Sequence, residues 1–335
     1  MVTKPSLRDV AKQANVSLGT VSNVLNRPTQ VSEETRQKVR DAIDMLGFVP
    51  NLNSQSNKSS KLVGLILPMG NNPFYDELTN GIEDAINAHG YRLLIGYSRE
   101  NEATELQLLN SMAEANFRGI IITPVGSRNQ VFDKFIEKNI QVGFISETYE
   151  EPDQCSVSID QVRGGYIGVE YLVKLGHKKI LWVSGPSYHQ QSNQRFLGIT
   201  QAAAEFQVEL KSITAPSLDF LTGEAIAPEI IAAGPLPDAI FAGNDALALG
   251  IMNYFHKVGI PVPGQISVLG YDNVSYAESA LVPLTTVSQT PYQLGWTMGS
   301  QLVFEFDAGV GHVHQHVVFQ PKIVERASTA LRFNP

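Results

Sequence analysis

The sequence predicts a small all-α head of helix-turn-helix type, followed by an α/β core of two doubly wound halves. Three observations predict it. Apolar residues in the first 49 positions recur at helical spacing in three short runs. A polar tract, NLNSQSNKSS at Asn51–Ser60, separates that segment from the rest. From Leu62 onward, short apolar runs alternate with longer helical ones, the pattern of parallel strands covered by helices.

The head comes first. Leu7, Val10, Ala11 and Ala14 stand at i, i+3, i+4 and i+7, one stripe of a two-turn helix. Asn15 tolerates a left-handed backbone, so the helix stops and turns there. Ser17 is a good N-cap for a second helix whose buried face is Val21, Val24 and Leu25. A third helix starts at Ser32, with Glu33 and Glu34 in its first turn. Its stripe is Val39, Ala42, Ile43 and Leu46, and Gly47 ends it. Two helices joined by a tight turn place the second in a DNA major groove. Leu18, Gly19, Thr20, Ser22 and Asn23 lie on its other face, small or polar enough to admit base edges. The plainer reading is a three-helix structural bundle with a solvated face.

Charge favours the first reading. Residues 1–61 carry nine Lys/Arg against five Asp/Glu, whereas the remainder carries 16 against 28. A basic head on an acidic body suits a polyanionic partner, although an excess of this size also arises by chance.

The segment DVAKQANVSLGTVSNVLN resembles the headpiece of the LacI-type repressor family, whose pattern runs D-V-A-x-x-A-G-V-S-x-x-T-V-S-x-V-L-N. Asn15 replaces the usual glycine. The resemblance implies that Leu18, Gly19 and Asn23 read bases, while Ser17, Thr20 and Ser22 hold phosphates. Asn bonds adenine bidentately and Leu packs on a thymine methyl, so Asn23→Ala is expected to cost roughly 1–3 kcal/mol. The family continues with P-N-x-x-A-R-x-L, a hinge helix whose leucine wedges into the minor groove and bends the duplex. Here Pro50 and Asn51 are kept, but Ser54, Gln55 and Asn57 replace alanine, arginine and leucine. Residues 50–61 therefore read as a hinge that joins the reader (1–49) to the core (62–335) without intercalating in the family's manner. Asn51, Leu52, Gln55 and Asn57 are its candidate hinge residues, with Asn57 or Leu52 as the candidate minor-groove contact.

In the core, LVGLIL, YRLLIGY, GIIIT, QVGFIS, KILWVSG, DAIFAG and ISVLGYD are strand-like. Helical stretches lie near 75–88, 102–115, 128–138, 162–175, 191–206 and 244–258. These are too many strands for one compact sheet, so two halves with a ligand cleft between their strand carboxyl ends are expected. NNPFYDELTNGIEDAINAHGYRLLI is similar to the first unit of periplasmic sugar-binding proteins of the ribose type, and KIVERAST to their closing strand. That likeness implies three crossings, near 160, 289 and 321. One half then comprises about 62–160 and 290–320, the other about 161–289 and 321–335.

The same likeness implies cleft residues: Asn72, Phe74 and Tyr75 in NNPFY, Arg195 in QRFLG, Phe220 in LDF, Asn244 in GND, Asp272 in GYD and Gln289 in VSQ. Phe74 and Phe220 would sandwich a ring, while Arg195 donates to sugar oxygens and Asp272 accepts from hydroxyls. Thr123 and Ser146 stand where the ribose binder has other residues, which leaves open a pentose, a hexose or a polyol such as inositol, with a nucleoside or purine as rival. Singly, Asp272 and Asn244 read equally well as loop and helix caps.

The His312–His316 run, HVHQH, alternates and puts three imidazoles on one face; with no cysteine or acid beside it in the sequence, it reads as an exposed strand, with no metal expected. Asp76, Glu77, Glu83 and Asp84 read as a solvated helix face. No P-loop, GxGxxG, HExxH or GxSxG stands in the chain, so neither an enzyme nor a cofactor is expected. The single Cys155 fits a reducing compartment, and the N-terminus lacks an apolar signal region. A bacterial cytoplasmic homodimer on near-palindromic operator DNA, controlled by a small effector, is the expectation, with no membrane partner. A sugar-binding transport component is the alternative of a different class.

Overall fold

The computed structural model describes residues 7–17, 20, 21, 24, 31–46, 60–70, 72–125, 135, 138, 140–145, 154–186, 190–308 and 312–332. The chain divides into two compact units, 1–60 and 61–335.

In the first unit, α1 spans Leu7–Gln13 and α2 spans Glu33–Leu46, with Thr20, Val21 and Val24 helical between them. Asn15 has φ 53°, the left-handed turn residue after α1. Val10, Ala11, Ala14, Val21, Val24, Val39 and Ala42 form one buried cluster, with Val16, Ile43 and Leu46 against it. The three stripes therefore meet in a common core. Leu25 and Gly47 lie outside the described residues.

The second unit holds two six-stranded sheets. The first has β1 (Leu62–Leu67), β2 (Arg92–Tyr97), β3 (Gly119–Ile122), β4 (Gln141–Ile145), β5 (Cys155–Ile159) and β11 (His316–Phe319), ordered β11-β5-β4-β3-β1-β2 and wholly parallel. The second has β6 (Lys179–Ser184), β7 (Glu209–Thr214), β8 (Ala239–Ala242), β9 (Ser267–Asp272), β10 (Thr285–Ser288) and β12 (Lys322–Val324), ordered β12-β10-β9-β8-β6-β7. Only β12 runs antiparallel, against β10. Central strands such as β3 and β8 are buried throughout, as continuous apolar runs require. The strand β7, ELKSIT, is an edge strand in which no residue is fully buried, and it carries no such run.

Helices cover the sheets: α3 (Pro73–Asn87), α4 (Glu102–Glu114), α5 (Gln161–Lys174), α6 (Gln190–Glu205), α7 (Phe220–Ala232), α8 (Asp245–Lys257), the short α9 (Ser275–Glu278) and α10 (Pro291–Ala308). Asn72, Asn101, Asp160, Asp219 and Asn244 cap five of them with side-chain oxygens. The expected helices at 75–88 and 244–258 are α3 and α8, whereas 128–138 lies almost wholly outside the described residues. Sequence periodicity did not point to α7 or α10. Pro228 and Gly223 interrupt α7, and α10 is apolar nearly all round, burying Leu294, Met298 and Leu302 while Trp296 and Phe304 stay exposed.

Three helix pairs lock backbone to backbone. A Cβ on Gly81 would collide with the Tyr292 carbonyl, and one on Gly295 with that of Leu78, so α3 and α10 pack only as glycine pairs. Gly165 and Gly198 join α5 to α6 in the same way, and Gly223 and Gly250 join α7 to α8. The chain passes from one half to the other at residue 160, at 289–290 and at 320–321, between strands of different sheets.

Candidate functional site

In the head, Ser17 and Thr20 are the described members of the expected reading face. Ser17 Oγ accepts from the Thr20 N–H at 3.0 Å and lies 2.8 Å from the Thr20 hydroxyl. Both hydroxyls thus serve the start of the second helix. Leu18, Gly19, Ser22 and Asn23 lie outside the described residues, as do the hinge positions Asn51, Leu52, Gln55 and Asn57 and the cleft position Ser146.

In the core, a cleft between the two halves gathers seven expected residues at the strand carboxyl ends: Asn72, Phe74, Tyr75, Arg195, Asn244, Asp272 and Gln289. Met69, Gln191, Ser192 and Leu218 complete the wall. From the first half, the loop after β1 contributes Asn72, whose side chain accepts from the Phe74 N–H at 3.0 Å and starts α3. Phe74 packs against the apolar cores of both halves, and its ring meets Tyr75 edge-on at 5.2 Å.

From the second half comes a buried polar chain. Arg195 is 5 % exposed; its Nε donates to Gln161 Oε1 at 2.7 Å and its Nη1 to the Gly243 carbonyl at 2.7 Å. The guanidinium also lies 3.7 Å from the centre of the Tyr271 ring. The Tyr271 hydroxyl donates to the same Gln161 oxygen at 2.9 Å. Gln161 Nε2 donates to Gln289 Oε1 at 2.9 Å, and Gln289 Nε2 donates to Asp272. Asn72, from the opposite half, faces Asp272 and helps to lower its carboxyl. One polar network therefore runs through two of the three crossings to the wall of the cleft.

Asp272 is the site's anomaly. Its backbone sits at φ 115°, a region that side chains avoid and that persists only where the surroundings dictate it. Burial pushes its carboxyl up to about 6, against the Arg195 charge and the Gln289 and Asn72 bonds, which lower it. The neighbouring Asp245 is held well above the carboxylate range by burial and by the Asp272 charge. Burial and the same charge raise the Tyr75 phenol. Asn244 spends its oxygen as the cap of α8, at 2.9 Å from the Leu247 N–H, and its Nδ2 on the Leu218 carbonyl at 2.9 Å. At Asn244 the cap role is fully realised and leaves little for a ligand.

Two expected residues fall elsewhere. Thr123 follows β3; its hydroxyl is buried and has no partner among the described residues. Phe220 does not face Phe74. Held at the first position of α7 by the Asp219 cap, it is 39 % exposed and borders a separate apolar cavity of about 640 Å³ with Met252, Tyr276 and Leu281. The expected aromatic sandwich is thus not formed. Sequence reasoning missed Gln161 and Tyr271. Nothing local marks Gln161, which meets its partners 34, 110 and 128 residues away.

The His312–His316 expectation also needs correcting. Residues 312–315 are not strand, and β11 begins at His316. The fold brings Cys155 and Glu305 to His312 and His314, companions that the sequence places far away.

Residues 6–51 match the bacterial regulatory proteins of the lacI family. Residues 60–312 match the periplasmic binding proteins and sugar binding domain of LacI family. The chain belongs to the LacI family. Among LacI-family relatives, it is 31% identical over 292 residues to the ribose operon repressor of Bacillus subtilis (strain 168), covering 87% of this chain and 88% of that protein. It is 29% identical over 328 residues to the HTH-type transcriptional repressor PurR of Photobacterium profundum, covering 96% and 98%. A LacI-family regulator from Enterococcus faecalis V583 with bound ribose superposes with TM-score 0.74 at 26% identity, over 82% of this chain and all of that one. The lac repressor dimer bound to operator and an anti-inducer gives 0.72 at 25%, over 98% and 100%. No helix among the described residues is long and apolar enough to cross a membrane.

Proposed function

We propose that this chain is a homodimeric repressor whose grip on near-palindromic operator DNA is set by a small sugar or polyol in the core cleft. The observation that carries the reading is the buried network from Arg195 through Gln161 and Gln289 to Asp272, which Asn72 faces from the other half. It joins a guanidinium and a carboxylate suited to hydroxyls to the crossings between the halves. The cleft encloses only about 40 Å³, far below the roughly 300 Å³ at which small-molecule pockets begin. Effector entry therefore parts the halves or displaces the side chains that fill the cleft. An effector that binds the two arrangements differently shifts their populations, by a typical coupling of about 1–3 kcal/mol.

The name of one relative and the ligand of one solved neighbour point to ribose. The pocket favours a hydroxylated ligand, because polar groups converge there and Phe220 offers no second aromatic wall for a flat base. A binding cleft rather than an enzyme's fits the same groups: Asp272 is engaged by two amides and Arg195 by two acceptors.

The test has two arms. Selection from random duplexes at physiological ionic strength should return a two-fold symmetric site bound with a steep salt dependence. A thermal-shift screen of pentoses, hexoses, inositols and purine nucleosides should find a stabilising sugar or polyol, worth about 2.7 kcal/mol at 100 times its dissociation constant. No sequence preference would remove the repressor reading. A nucleoside as sole stabiliser would replace the sugar.

A further inference from the structure

Away from the cleft, four side chains with metal-ligand chemistry meet at the amino ends of the first sheet's strands. Cys155 opens β5. Glu305 lies in the last turn of α10. His312 and His314 lie on the segment that enters β11, the strand paired with β5. Both of these imidazoles lie against the Cys155 sulfur, whereas His316 Nδ1 goes to the Ser156 hydroxyl at 2.7 Å. Cys155 Sγ lies 3.0 Å from His312 Nε2 and 3.8 Å from His314 Nδ1. One donor atom from each of the four residues falls within 4.8 Å of all the others.

We propose that Cys155, Glu305, His312 and His314 form a binding site for one divalent late transition metal, of which zinc is the type. Bond lengths of about 2.3 Å to sulfur and 2.0–2.2 Å to nitrogen and oxygen put tetrahedral donors about 3.3–3.7 Å apart. Adjustments of about an ångström or less at side-chain ends close the present set onto that geometry. One thiolate and one carboxylate balance a 2+ ion. The thiolate and two imidazoles select zinc-like ions over magnesium or calcium. Four protein donors make the site structural rather than catalytic.

One carboxylate oxygen of Glu305 and Nδ1 of His312 are buried with no partner among the described residues. The site lies at the sheet end opposite the cleft, so metal and effector occupy separate places. It fastens the end of α10 and the entry to β11 onto β5.

Untagged full-length protein, stripped with a chelator, is titrated with Co²⁺ and then Zn²⁺. One Co²⁺ per chain is expected, with a thiolate-to-cobalt charge-transfer band and the visible bands of a tetrahedral ion, both bleached by one equivalent of Zn²⁺. Cys155→Ser should abolish the charge-transfer band. Glu305→Gln and the His312→Ala/His314→Ala pair should weaken binding by more than about 100-fold, beyond the 10–100-fold that loss of a ligand's own hydrogen-bond partner costs. His316→Ala should keep one ion and the wild-type spectrum. Cys155→Ser alters a buried position, so circular dichroism accompanies it, and Glu305→Gln carries the test if that variant does not fold. Absence of saturable micromolar Co²⁺ uptake overturns the proposal. So does uptake without the charge-transfer band, or uptake that Glu305→Gln leaves at full strength.

Discussion

Replacing Asp272 with Asn should make the core more stable at neutral pH while removing its effector response. Asp272 is 3 % exposed, and its carboxyl is raised from the ordinary 3.8 to about 6. An acid whose folded value is raised contributes stability fully below its unfolded value and loses it as pH rises through the folded one, because the native state holds the extra proton. Between pH 3.8 and about 6 the loss amounts to about 3 kcal/mol, at 1.36 kcal/mol per pH unit. Asparagine removes that term. It still accepts from Gln289, and it tolerates positive φ better than most residues. Its amide group faces the Asn72 donor, a mismatch worth about 1 kcal/mol. A net gain of about 2 kcal/mol at pH 7, turning into a loss of about 1 kcal/mol near pH 4 where only the mismatch is left, is the expectation. Urea unfolding followed through Trp182, which is buried in the same half, measures it at both pH values. A wild type and variant that lose equal stability between pH 4 and pH 7 would refute the reasoning, for then Asp272 does not carry the burden of burial.

Arg195→Ala removes two charge-assisted bonds and leaves the shared Gln161 oxygen short of a donor; at about 1.5–3 kcal/mol per such bond, calorimetry should find effector affinity reduced at least tenfold. Ser17→Ala deletes the cap bonded to Thr20 and should cost the head about 1 kcal/mol, read as earlier melting of the head with the core's transition unmoved. Gly81→Ala forces α3 and α10 apart and should cost about 1–3 kcal/mol of core stability, measured by denaturant titration.

What the sequence made legible follows the range of each interaction. The head's stripes were readable because i, i+3, i+4 spacing is local, and Val10, Val21 and Val39 do meet in one core. Seven cleft residues came from motif likeness and converge on one cavity. Phe220 did not, since motif position fixes a residue's place in the chain but not the direction its helix start imposes. Gln161 was invisible because its role consists of partners on other elements. The Cys155 cluster was invisible for the same reason, with 157 residues between its sulfur and the His312 ring. The edge strand β7 and the helix α10 escaped because neither shows one apolar face: β7 is largely polar, and α10 is apolar on several sides.

The glycine-locked helix pairs carry a mechanical consequence. Backbones in direct contact yield little, so any turn of one half against the other would carry each half as a stiff lever on the short crossings at 160, 289–290 and 320–321. A strand of six residues is about 20 Å long. A pivot of 10° at the crossings then sweeps the far rim, where β1 begins at Leu62, through about 3.5 Å by that strand length. A pivot of that size would turn a small change in the cleft into a displacement of atomic size at the place where the core's chain begins.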